Sequence, residues 1–258
     1  MGYGGCVFSG LLGPQLVNIT MDLWTPYLFM ASFAAQGLVA FLCMLILAGA
    51  KLQKREIGGA NAGQGRPLLE IARKRKFIAA ALSGIVSYAL MNLLMTSAPL
   101  AMKMRVLSLS DTNWGVQWHV IAMFLPSFWT GFLVQRFGSF RFVVVGFTLI
   151  AAATFFNLAG QTTGHFWVGL VLLGLGWSFG FVGASLLIVE TNRPEESRRV
   201  QSFNDFLVFG TNAIASFSSG TLLVRSGWDA VNYEVIPALI AAVLMLISGG
   251  RSRPVERN

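Results

Sequence analysis

Eight stretches of this chain, at 3–20, 27–50, 77–102, 113–135, 142–159, 166–189, 204–224 and 232–249, are long, apolar and almost free of charge. Runs of about 20 such residues match the roughly 30 Å hydrocarbon core of a bilayer at about 1.5 Å per helical residue. Their apolar residues are continuous instead of alternating, which selects helices over the strands of a membrane barrel. The chain is 55% hydrophobic and 12% charged, and the charges fall between the runs. The fold class that follows is an all-α membrane protein of about eight transmembrane helices.

Residues 51–76 separate two of these runs from the other six. Lys51, Lys54, Arg55, Arg66, Arg73, Lys74, Arg75 and Lys76 lie there, against Glu56 and Glu70. Basic residues beside span ends stay on the cytoplasmic side. With this loop inside and each run reversing the side, Arg136, Arg141, Arg193, Arg198, Arg199, Arg251, Arg253 and Arg257 also fall inside, and Lys103, Arg105 and Arg225 fall outside. Sixteen against three supports the count of eight, because omitting one run would move every later loop to the other face. The expectation is a multi-pass protein of the inner (plasma) membrane with both termini cytoplasmic. The lipid bilayer is then its first partner, and the net charge of +8 reads as topology, not as a nucleic-acid surface. Trp24, Trp114 and Trp228 fall at the expected outer interfaces. Cys6 and Cys43 lie in apolar runs without a nearby histidine, so neither a disulfide framework nor a metal site is indicated, and no cofactor is expected.

Within the long loop, residues 58–65 read as a flexible linker and 67–74 as a short surface helix with Glu70 and Lys74 at i,i+4. The organisation expected is 1–50 as a two-helix unit, 51–76 as a basic cytoplasmic loop and hinge-like boundary, 77–250 as a six-helix bundle, and 251–258 as a cytoplasmic tail. The bundle divides into two three-helix units, 77–159 and 166–249, with no evident identity between them.

The most specific local pattern runs from Gly131 to Arg141, through Gln135, Arg136, Gly138 and Ser139. A tight hairpin between helices calls for a small residue where they approach, a glycine to reverse the chain, and arginines at the inner face. This pattern resembles the loop signature G-x-x-x-D-R-x-G-R-[KR] of the major facilitator superfamily. Gly131, Arg136 and Gly138 match in register, Gln135 and Ser139 replace the acidic and first basic positions, and Arg141 lies just past the basic pair. Gly13-Pro14 is similar to the glycine-proline core of that superfamily's fifth-helix motif. The resemblance implies helices five to twelve of a twelve-helix transporter, with residues 51–76 as the central loop and the first four helices missing.

The spans themselves carry uncharged polar groups. Tyr88, Asn92 and Thr96 stand at i, i+4 and i+8, one face of a helix. Such groups need partners or water in hydrocarbon, so the stripe belongs in the bundle interior, either lining a cavity or bonding to another helix. Gln117 and His119 lie about a turn from the outer end of their span, with Met123, Ser127 and Thr130 on the histidine's face. His119 is a candidate for substrate binding or proton movement, or an imidazole satisfied by a carbonyl or water. The span 166–189 is glycine-rich and contains Gly176-x-x-x-Gly180, which suits close helix packing or a bendable helix. Its Trp177 and Phe179 offer an aromatic face to a planar substrate, or serve as packing or lipid contacts. In 204–224, Asp205, Phe209, Asn212 and Ser216 share a face. Asp205 and Glu190 are gate candidates, expected to pair with loop arginines including Arg136 and Arg141, with proton coupling through Asp205 as the alternative.

These features weigh against an enzyme. No histidine follows Ser185 to activate it, no G-x-G-D pair occurs, and no P-loop is present to drive a pump. The leading expectation is secondary active transport of a small, neutral or amphipathic organic solute by alternating access, with proton or ion coupling left open. The alternative is a truncated, non-transporting membrane protein, or a partner subunit that needs a separate fragment carrying the first four helices.

Overall fold

The computed structural model describes residues 3–27, 29–49, 65–193 and 195–250. Ten helices and no strands occur among them: α1 (Tyr3–Thr20), α2 (Met30–Gly49), α3 (Leu68–Ala72), α4 (Arg75–Met104), α5 (Leu109–Phe124), α6 (Ser127–Phe137), α7 (Ser139–Ala159), α8 (Thr163–Thr191), α9 (Ser197–Tyr233) and α10 (Val235–Gly250). A helix satisfies its own backbone within one segment, which is why apolar runs of this length adopt it.

Each of the eight expected runs coincides with helix, and the differences lie at breaks and ends. The run 113–135 is two helices, because Pro126 has no N–H to continue the ladder and the axis bends by 44° between α5 and α6. The run 204–224 extends to Ser197–Tyr233 and contains Gly227 at φ 82°, ψ 173°. Together α9 and α10 make a stretch of 53 residues, about 80 Å at 1.5 Å per residue, broken at Gly227. By length and apolarity, five stretches of the described residues suffice to span a bilayer, or six with the bent pair counted as one.

Contacts between helix ends give the antiparallel order. At one end a Cβ on Gly249 would touch the carbonyl of Arg75, Ser139 bonds Glu190, and Arg66 bonds Glu196. At the other, Trp167 Nε1 donates to the carbonyl of Asp111 at 2.9 Å. There Asn157 Nδ2 donates to Asn232 Oδ1 at 3.0 Å, and Trp228 Nε1 to the carbonyl of Asn157. Trp228 is therefore buried with a partner, not an interfacial anchor, whereas Trp24 is exposed. All described arginines and lysines of the basic cluster share the first end.

The main core joins α4, α7, α8 and α10 through Leu94, Val143, Ile150, Leu173 and Leu246, all buried. A smaller core holds Ile71, Phe77, Ala80, Ala81, Ile188 and Val200. It docks α3 onto α4, α8 and α9, so this part of the basic loop packs on the helices that follow it. The Glu70 to Lys74 contact is present at 3.8 Å. The linker 58–64 and the tail 251–258 lie outside the described residues.

Candidate functional site

Tyr88 projects from α4 into a group of rings on α8 and α9. Its ring meets Trp177, Phe181 and Phe209 edge-on, at centroid distances of 5.6, 5.2 and 5.6 Å. Trp177 and Phe181, one helical turn apart on α8, stack at 5.3 Å and 12°, and Phe124 of α5 closes on Trp177 edge-on. Edge and offset contacts of this kind each add about 0.5–1.5 kcal/mol beyond burial, so the rings hold one another in fixed orientations. Phe209 stays 53% exposed, which leaves the cluster open on the α9 side.

Asn92 and Thr96 continue the face that Tyr88 begins. Asn92 Nδ2 donates to the carbonyl of Asn212 at 3.4 Å, and Thr96 Oγ1 donates to Ser219 Oγ at 2.9 Å. The structure thus brings Tyr88, Asn92, Thr96, Trp177 and Asn212 to one seam between α4, α8 and α9. Three buried polar atoms on or beside this seam, Ser87 Oγ, Trp177 Nε1 and Asn212 Oδ1, have no hydrogen-bond partner among the described residues. Leaving such an atom unpaired costs about 1–3 kcal/mol each, which a ligand group of opposite polarity would recover. The seam offers flat rings, one indole donor, one amide acceptor and hydroxyls, and none of these five residues carries a charge at neutral pH.

Gln117 and His119 lie apart from it. Gln117 Oε1 accepts from Gln15 Nε2 of α1 at 2.6 Å, and one turn away Asn113 Nδ2 bonds Asn18 Oδ1. These amide pairs tie α1 to α5. His119 is fully buried, with Nδ1 2.7 Å from the carbonyl of Leu170 on α8 and Nε2 without a partner among the described residues. Its imidazole is thus carbonyl-bound, and the bend at Pro126 separates its helix from the one that carries Ser127 and Thr130.

The loop residues divide. Gly138 has φ 78°, a left-handed conformation that glycine adopts without a Cβ penalty, so the chain reversal there rests on it. Gly131 meets nothing within 4 Å of an added Cβ, contrary to the close approach expected. Arg136 lies 5.5 Å over the Phe137 ring, and Arg141 is exposed. Gly13 also faces open space, beside Pro14 inside α1. The expected pairing of Glu190 and Asp205 with arginines is not present among the described residues: Glu190 Oε1 accepts from Ser139 Oγ at 2.6 Å, and Asp205 Oδ1 from Gln201 Nε2 at 3.1 Å. A neutral donor lies nearer to each carboxylate than any arginine does.

Besides Glu70–Lys74, an ion pair at this end joins Arg66 and Glu196, which the sequence reading missed. Glu196 accepts from Arg66 Nε at 2.8 Å, Arg66 Nη2 at 2.6 Å, and the backbone N–H of Arg66 and of Arg193, each at 3.0 Å. The side-chain bonds from Arg66, then those backbone N–H groups, hold its carboxyl well below the usual carboxylate range against the opposing effect of burial. Only the three-residue reach from Arg193 was visible in advance, and Glu195 beside it is exposed.

No protein-family model matches the chain, and no solved structure matches it. Curated proteins do. It is 42% identical over 245 residues to a riboflavin transporter, RfnT, of Brucella anthropi, covering 95% of this chain and 61% of that protein. It is 27% identical to an MFS-type transporter of Bacillus subtilis, YdeG, and 27% identical to a second, YddS, over 93% and 92% of this chain and 58% of each relative. The chain spans about three-fifths of the length of these relatives.

Proposed function

We propose that this chain, a member of the major facilitator superfamily to which two of its curated relatives are assigned by name, moves a neutral, planar aromatic solute of the flavin type across the membrane by alternating access. It is a multi-pass membrane protein, and in this reading the end rich in arginine and lysine faces the cytoplasm. The solute's ring system lies against Trp177 and Phe181 with Tyr88 and Phe209 at its edges. Trp177 Nε1 donates to a ring acceptor, Asn212 Oδ1 accepts from a ring N–H, and Asn92, Thr96 and Ser219 serve a hydroxylated side chain. Binding on α4, α8 and α9 biases how these helices sit against the opposite wall, which is how a bound solute shifts an equilibrium between two states.

The observation that carries this reading is the aromatic seam with an unpartnered indole N–H and amide oxygen on a chain 42% identical to a riboflavin transporter. Cells unable to make riboflavin, producing this chain, are expected to accumulate labelled riboflavin above the vector control. Trp177→Ala is expected to lower uptake at limiting solute by about a hundredfold, the loss of a stacking contact and one hydrogen bond together, about 3 kcal/mol. Trp177→Phe keeps the ring and loses the donor, and is expected to fall between. Uptake no greater than the control, or equal uptake by wild type and Trp177→Ala, would sink the proposal.

A further inference from the structure

Before the bend at Pro126, α5 lies tight against α8, where a Cβ on Gly174 would come within 2.5 Å of the His119 carbonyl. After it, α6 buries none of its residues. The space left between α6 and α8 is a cavity of about 420 Å³, within the roughly 300–1,000 Å³ of small-molecule sites. Ser127, Thr130 and Gln135 give it a polar wall on α6, Val182 and Leu186 an apolar wall on α8, and no lining residue is ionisable. Thr130 Oγ1 donates to the Pro126 carbonyl at 3.0 Å, which leaves its lone pairs for a donor in the cavity. The open space at Gly131 belongs to this cavity, so the glycine that failed to bring two helices together keeps a site clear instead. The cavity shares no lining residue with the aromatic seam but lies next to it along the same helices, since Val182 follows Phe181 and Ser127 stands three residues after Phe124, whose ring meets Trp177.

We infer that this cavity is a second binding position, one that takes a neutral, polyhydroxylated chain and that a solute occupies between the seam and the cytoplasm. An extended polyol has an edge of hydroxyls and an edge of C–H groups. The first meets Ser127, Thr130 and Gln135, which together offer donors and acceptors, and the second lies on Val182 and Leu186. A phosphate or carboxylate would find no cation here to pair with. A purely aliphatic occupant would take water from the hydroxyls and the amide and return no hydrogen bond. The inference rests on the reading of the seam as a flavin site for the identity of the solute, whose polyol chain is the part that this cavity would hold.

The test is equilibrium dialysis of the purified chain in detergent against labelled riboflavin. Two molecules per chain are expected, the second held about tenfold more weakly because no ring lines the cavity. Trp177→Ala is expected to remove the tighter one. Gly131→Leu, whose Cβ meets no neighbour and whose branch fills the cavity, is expected to remove the weaker, and Gly37→Leu, at another glycine facing open space, to keep both. At the weaker position, a flavin with a methyl group in place of the polyol chain is expected to compete about tenfold less well than riboflavin, and Gln135→Leu to narrow that gap to about two- or threefold. A single molecule, lost in Trp177→Ala and kept in Gly131→Leu, would leave the seam as the site and overturn this inference alone. A single molecule lost only in Gly131→Leu would overturn the reading of the seam and leave the cavity as the solute's site. Equal competition by the tail-less flavin would overturn the recognition of hydroxyls, and no binding at all would overturn both readings.

Discussion

Replacing Gly146 with alanine is expected to part α7 from α8 and to lower the thermal midpoint of the purified chain by roughly 10 °C, the equivalent of about 3 kcal/mol in a domain of this size. A Cβ at position 146 would lie 2.5 Å from Gly180 Cα and 2.8 Å from the Gly176 carbonyl, and tighter still against the Gly180 nitrogen. All three are backbone atoms, so no rotamer change relieves the contact, and the helices themselves must separate. Gly176 and Gly183 continue the row, the first against Ile150 and the second against Val143. The separation would loosen the packing of Ile150 and Val143, both wholly buried. Gly13→Ala is the control, because an added Cβ there meets nothing within 4 Å. Equal midpoints for the two variants would show that the α7–α8 contact is not as close as the structure has it.

Arg66→Ala is expected to cost about 2 kcal/mol at neutral pH. Removing one partner of a buried ion pair strands the other charge, which costs about 3–5 kcal/mol when both are fully enclosed. Here the Glu196 side chain is wholly buried, but that of Arg66 is 24% exposed, which places the effect below that range. The pH dependence has a definite sign. The folded-state carboxyl of Glu196 titrates below its ordinary value of 4.5, so the pair's contribution is complete above that value and is lost progressively as pH falls beneath it. The stability gap between wild type and Arg66→Ala, followed by thermal unfolding across a pH series, should be widest near neutrality and narrow in acid. A gap of constant size would assign the effect to lost packing of the arginine stem.

Both effects concern contacts between helices, and there the sequence was hardest to read. Apolar runs announce helices because hydrocarbon leaves the backbone no other way to pair, so the positions of α1, α2, α4, α7, α8 and α10 follow from hydropathy alone. The break at Pro126 was written in the chain, yet the apolar run continues through it, and hydropathy does not register a missing N–H. The polar ends of α9 fell outside the apolar window because Ser197 to Phe203 and the residues flanking the break at Gly227 are too polar for hydropathy to mark, although α9 packs on α3, α4 and α7.

In the seam, the stripe of Tyr88, Asn92 and Thr96 was legible because its spacing lies within one helix. Its partners Asn212 and Ser219 sit on a helix more than a hundred residues away, and periodicity carries no information about the register of one helix against another. Phe181 stands four residues after Trp177 and was open to discovery by the same spacing argument. Glu196 was not. Beside Glu195 it is an identical side chain in an identical stretch, and only the fold turns one into α3's anchor and leaves the other in solvent.

The helix α2 shows a different way of being held. Among its described residues only Ala31 and Ser32 are buried, although its mean hydropathy is 2.1. Among the described residues, then, few tertiary contacts hold it. Exchange of one aliphatic residue for another between Leu38 and Leu47 has little to disturb, while an ionisable residue in the middle of the same stretch acts on insertion itself, at about 2.5–3.5 kcal/mol for a charge at the helix centre. Wherever this helix meets hydrocarbon, the thickness and composition of the membrane become part of what stabilises the protein.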